Sequence, residues 1–162
     1  MLQRLKDTGT KIHTFVDGLC ASAGTFILMM GDDINLYENS MIMIHKPVGY
    51  CEGNAVDFQK YINLLDTVEN STMIPLYMKK SKVDENKLKE LISDESWLGA
   101  KETEEIFNIN ILQEQKQVAA CVSDLLKNYK NVPQSLKIAM NKAKEPKFDY
   151  SDYEKRLLAV KK

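Results

Sequence analysis

The 162 residues are the size of one ordinary domain, and 44% hydrophobic with 28% charged residues describes a chain that buries a core, which excludes disorder throughout. A net charge of −1 gives no global reason to expect nucleic acid or an anionic membrane as partner. Three widely spaced cysteines, Cys20, Cys51 and Cys121, form no CxxC pair, so neither a disulfide framework nor a zinc site is suggested and a reducing, cytoplasmic setting fits best.

In chain order, Leu2 and Leu5 have helical spacing and Gly9 is placed like a C-cap, so the sequence opens on the last turns of a helix. Residues 11–17 read as a short strand ending at Gly18. The small residues of 19–24 lead into an unbroken apolar run, which predicts a tight turn into a buried helix. Turns at 31–33 and 38–40 bracket a second strand over 34–37. Residues 41–45 (MIMIH) are apolar on both faces, as a strand inside a layered α/β structure requires. Pro47 ends that strand and pushes Lys46 to an extended conformation.

The longest periodic segment is 54–80. Tyr61, Leu64, Leu65, Val68 and, more weakly, Thr72 follow helical spacing, with Phe58 and Ile62 on a flanking row. Pro75 is expected to kink or split it. Residues 84–92 predict a short amphipathic helix with Asp84 as N-cap, followed by a loop over 93–100, a helix over 101–108 and a brief strand at 109–111. From 113 onward the chain reads as helices punctuated by Pro133 and Pro146, with the clearest break at 131–133. The expected division is a core over 1–112 and a helical extension over 113–162. Residues 126–162 carry a net charge of +6 and residues 1–125 one of −7. A solvated helical tail explains this, and a docking arm for an acidic partner is the sharper reading. No apolar run is long enough to span a bilayer, and no signal-peptide pattern opens the chain.

A serine hydroxyl becomes a nucleophile only with a base in hydrogen-bond reach, a group that orients the base, and N–H donors aimed at the developing oxyanion. Gly18-Leu19-Cys20-Ala21-Ser22-Ala23-Gly24 provides a setting for one. Its small residues admit a substrate carbonyl, and a strand-to-helix turn puts Ser22 where unpaired N–H groups collect, with Ala23 N–H as an oxyanion donor. The run is not the G-x-S-x-G elbow of esterases, and a serine at a helix start is by itself usually an N-cap. The chain has two histidines. His45 ends a buried strand at a loop, where catalytic groups are commonly presented, whereas His13 lies mid-strand and reads as structural or exposed.

Together with Asn39-Ser40-Met41-Ile42-Met43-Ile44-His45-Lys46-Pro47, the serine segment resembles the nucleophile and base motifs of the Clp protease proteolytic subunit family. Residues 95–104, from Glu95 through Trp97 and Ala100 to Glu104, resemble the family's third motif, which carries the triad aspartate. The likeness runs from about residue 8 to 112. It implies an α/β spiral of ββα units like that of the crotonases, with the first unit lacking and a helical C-terminal tail. It also implies a serine endopeptidase in which Ser22 is nucleophile, His45 base and Glu95 the third member, with Asp94 the neighbouring candidate. Glu95 keeps the two-residue offset to Trp97, and a glutamate serves as aspartate does, by stabilising imidazolium. Trp97 is more like the phage head-maturation branch.

The family's second oxyanion donor comes from a glycine-rich turn upstream of the nucleophile strand, and no Gly-Gly pair precedes Gly18. The loss of one such donor costs roughly 10²–10³ in turnover, so the resemblance implies a truncated chain or half of a split enzyme. Segment 54–80 resembles the helix by which family members pack into homo-oligomeric rings. The implied partners are unfolded or scaffold polypeptide, phage capsid proteins and an AAA+ unfoldase, with no metal or organic cofactor in the protease subunit. A non-catalytic assembly subunit is the alternative. A crotonase-like acyl-CoA enzyme is a third reading, against which the paired Ser22 and His45 motifs stand.

Overall fold

The computed structural model describes residues 2–113 and 124–142. A short helix α1 (Leu2–Lys6) ends in a turn closed by Gly9, whose φ of 78° is open to glycine at no steric cost. Strands β1 (His13–Val16) and β2 (Leu19–Ala21) and helix α2 (Ala23–Met29) follow, then β3 (Asp33–Tyr37) and β4 (Met41–Ile44). Consecutive strands part company at each short turn: β1 pairs with β3 in one sheet and β2 with β4 in the other, both parallel. The first sheet is completed by β6 (Asn110–Leu112), parallel to β3, in the order β1-β3-β6. The second is completed by β5 (Ser96–Gly99), antiparallel to β4, in the order β2-β4-β5. This is the mixed α/β architecture the sequence implies.

Strand β4 is central to its sheet and buried on both faces: Ile42, Met43 and Ile44 are wholly inaccessible. Such side chains contribute about 1.5–3 kcal/mol each on burial, so β4 is a rigid support for the residue at its end. Around it pack Leu28, Leu36, Leu88, Ile92, Leu98 and Phe107. Helix α5 (Glu85–Ser93) supplies Leu88 and Ile92, and Asp84 caps it by accepting Lys87 N–H at 2.9 Å. Helix α6 (Ala100–Ile106) leads into β6.

Segment 54–80 is divided rather than continuous. Helix α3 (Ala55–Thr67) passes into a π-helical stretch (Val68–Met73), then α4 (Ile74–Met78). Pro75 cannot donate to the turn behind it, and the wider π turn accommodates that lost bond where the sequence predicts a kink or split. Helix α3 starts from a capping box: Asn54 Oδ1 accepts Val56 N–H at 2.9 Å, and Asp57 Oδ2 accepts Asn54 N–H at 3.0 Å. None of its residues is buried; Val56, Phe58, Ile62 and Leu64 are exposed, while Tyr61 and Leu65 are half-covered.

Two strands replace expected irregular segments. Leu19–Ala21 and Ser96–Gly99 are short, and both pair with β4. Their extended form comes from that shared partner rather than from their own small and flexible residues. In the C-terminal part, a 3₁₀ turn (Asp124–Asn128) and helix α7 (Gln134–Lys142) flank the expected break at 131–133. Pro146 and most of the basic tail lie outside the described residues.

Candidate active site

The two turns that matter are set by strand register. Ala21 lies beside Met43 in the parallel β2–β4 pair, and the next N–H, that of Ser22, donates to Met43 C=O at 2.9 Å. Ile44 lies opposite Ser96 in the antiparallel β4–β5 pair. One step beyond, His45 and Glu95 therefore leave the sheet on the same side of that pair. The central strand thus brings together three residues that are 23 and 50 positions apart.

Ser22 occupies the N-cap position of α2 but makes no cap bond with its side chain. Its Oγ lies 2.7 Å from His45 Nε2 instead. With the imidazole proton on Nδ1, Nε2 accepts the serine hydroxyl, as a general base must. The backbone at Ser22 has φ 54° and ψ −125°, a region that L-residues occupy at a cost of about 1–3 kcal/mol. That sharp strand-to-helix turn presents the hydroxyl, as in a nucleophile elbow, although the surrounding sequence is not the esterase motif. Neighbouring groups hold the strained turn. Ser22 C=O accepts both the N–H of Thr25 at 2.9 Å and its hydroxyl at 2.6 Å. Thr25 is wholly buried, and its hydroxyl also meets the phenol of buried Tyr77 on α4. Burial pushes the Tyr77 phenol up to about 12, so it stays protonated and donates.

The Ala23 N–H opens α2, where a helix has no acceptor of its own for its first donors. Cys20 lies against Gly24, and burial pushes its thiol up to about 11, which removes it as a competing nucleophile at neutral pH.

Burial holds the His45 imidazole below its ordinary value, and the charge of Glu95 opposes that shift. Lys46, the next residue, reaches Glu69 on the π-helical stretch at 3.3 Å, and Glu69 is itself buried. That pair ties the end of β4 to the helix packed beside it.

Glu95 is the second described non-glycine residue with positive φ, at 52°. Burial would raise its carboxyl, but the N–H groups of Asn131 and Lys130, the Trp97 indole and the charge of His45 together hold it below the usual carboxylate range. Its Oε1 accepts Asn131 N–H at 2.7 Å and Trp97 Nε1–H at 3.4 Å. No hydrogen bond joins Glu95 to His45, so the carboxylate acts on the ring through its charge. Asp94 ends α5 with its side chain exposed, and its carbonyl accepts Asn131 Nδ2 at 2.8 Å. Of the two candidate acids, Glu95 is the one whose charge acts on the imidazole. His13 pairs with Asp33 at 3.0 Å, on the other sheet.

Two residues at the site belong to the segment read as a separate extension. The Tyr129 ring stands edge-on to His45 with centroids 5.4 Å apart, and to Trp97 at 6.0 Å. Asn131 holds Glu95 as described. The signal available in sequence was the polar, proline-bounded break itself, since such breaks between helices carry functional loops. Among the described residues, no three His, Cys, Asp or Glu side chains are grouped to hold a metal ion, and no helix is long and apolar enough to cross a membrane.

No curated protein matches the chain. A family model does, over residues 2–114, and the family it describes is Clp protease.

Proposed function

The chain belongs to the Clp protease family, a family of peptidases, and we propose that it is a serine endopeptidase working through Ser22, His45 and Glu95. The observation that carries this reading is the 2.7 Å contact between Ser22 Oγ and His45 Nε2 at a strained strand-to-helix turn. Ser22 Oγ attacks the scissile carbonyl while His45 Nε2 takes the hydroxyl proton. The imidazolium so formed is stabilised by the Glu95 charge and returns the proton to the leaving amine. The Ala23 N–H donates to the oxyanion. Water then repeats the sequence on the acyl-serine.

The proposed substrates are unfolded or scaffold polypeptides, and on the likeness of Trp97 we further propose the phage head-maturation branch. A homo-oligomeric assembly is supported by α3, whose apolar residues Val56, Phe58, Ile62 and Leu64 are exposed. An AAA+ unfoldase or capsid proteins are the further proposed partners. The alternative, a catalytically silent assembly subunit, draws on the missing hydrogen bond between Glu95 and His45.

A fluorophosphonate probe separates the two. The peptidase reading expects covalent labelling at Ser22, abolished in Ser22→Ala. Folded wild-type protein that stays unlabelled refutes it.

A further inference from the structure

We infer that residues 124–133 are a wall of the active site, and that Tyr129 is a positioning residue that fixes the His45 ring against Ser22. This rests on the peptidase reading above. The usual orienter of a catalytic imidazole is a carboxylate accepting its Nδ1–H. Here no such bond is made: Glu95 Oε1 accepts the Asn131 N–H and the Trp97 indole N–H instead. The Ser22 contact on Nε2 does not by itself stop the ring turning about that bond. The edge-on contact with Tyr129, its planes at 76° to His45 and 78° to Trp97, closes the remaining side.

Tyr129 is itself held firmly. Leu126 and Val132, on either side, are buried. Asn131 is fastened twice to the end of α5 and the residue after it, by its N–H to Glu95 and its side-chain amide to Asp94 C=O, across more than thirty residues of sequence. The contact is between the two rings, edge to face. On this inference the ring shields His45 and contributes to the burial that lowers its pKa. Among the described residues, the polar and titratable groups at His45 are the Ser22 hydroxyl from the β2–α2 turn, Glu95 from the α5–β5 junction and Tyr129. Lys46 is paired with Glu69, and Lys130 is exposed.

The full chain has two histidines, so ring NMR gives two titrations, with His13 assigned through His13→Gln. Tyr129→Ala should move the His45 midpoint up toward the ordinary histidine value and slow fluorophosphonate labelling of Ser22 by roughly ten- to a hundredfold, as misplacement of a catalytic group does. Tyr129→Phe should leave both at wild-type levels. A His45 midpoint and labelling rate unchanged in Tyr129→Ala overturn the inference. Should that variant unfold, the wild type decides: nuclear Overhauser contacts between the Tyr129 and His45 rings support the inference, and their absence overturns it. Failure of wild-type labelling removes the peptidase reading, and the NMR titration still reports on whether Tyr129 shields His45.

Discussion

Replacing Thr25 with valine tests whether the strained turn at Ser22 is held by the buried hydroxyl chain behind it. Thr25 Oγ1 has one hydrogen, and the Ser22 carbonyl only accepts, so the threonine donates to Ser22 and Tyr77 donates to the threonine. Thr25→Val keeps the shape, leaves the buried Tyr77 O–H without a partner, and leaves Ser22 C=O with the Thr25 N–H alone. Orphaning the phenol costs about 1–3 kcal/mol, and the lost bond to the carbonyl about 1 kcal/mol more. Together that is about 2–4 kcal/mol, a large part of the roughly 5–15 kcal/mol that holds an ordinary domain. Tyr77→Phe leaves the donated bond to Ser22 intact and should cost only about 1 kcal/mol. The double variant has no orphaned hydroxyl, so it should be more stable than the sum of the singles by about 1–3 kcal/mol. Urea midpoints at constant slope measure the cycle. Fluorophosphonate labelling should slow in Thr25→Val more than in Tyr77→Phe, because only the first removes a hydrogen bond from the Ser22 carbonyl. Additivity of the two changes within about 0.3 kcal/mol would refute the reasoning.

Other consequences are accessible to the same assays. His45 must be neutral to act as base, and its lowered pKa keeps it neutral further into acid, so the labelling rate should fall to half below the ordinary value of about 6.5. The unfolded chain takes up that proton at higher pH than the folded one, so urea midpoints should drop as pH falls below about 6.5, and drop further through the lowered pKa of Glu95. Glu95→Gln removes the charge that opposes the lowering of His45 and should shift the labelling profile further to acid. Because no hydrogen bond is lost on His45, its rate defect should be well short of the roughly 10⁴-fold that follows loss of a directly bonded triad carboxylate; a defect of that full size would show that Glu95 turns to the imidazole during reaction. Asn54→Ala removes the cap of a helix with no buried residue and should cost about 1 kcal/mol, with faster amide exchange in residues 55–60 as the local readout.

Strand β4 and the cap of α5 were legible because local chemistry and tertiary role agree. MIMI is apolar on both faces and is buried on both faces, and Asp84 caps α5 where it stands. Strands β2 and β5 were not legible, since residues such as Ala21, Ser96 and Gly99 extend only because β4 lies alongside. The nearness of Ser22 to His45 was readable from joined motifs, whereas Glu95 and Asp94 differ in the sequence only by the offset to Trp97. The rest lies beyond residue 112, outside the stretch that carries the motifs. Tyr129 and Asn131 reach the site through contacts spanning 32 to 84 positions, and no periodicity encodes contacts of that range.

The backbone at position 22 has one further consequence. Glycine would relax the φ of 54° and recover part of the roughly 1–3 kcal/mol stored there. The sequence best suited to this turn is therefore an inert one. Selection for thermal robustness alone would drift toward the loss of the hydroxyl, and a catalytic chain stays serine at this position only at the expense of its own folding equilibrium.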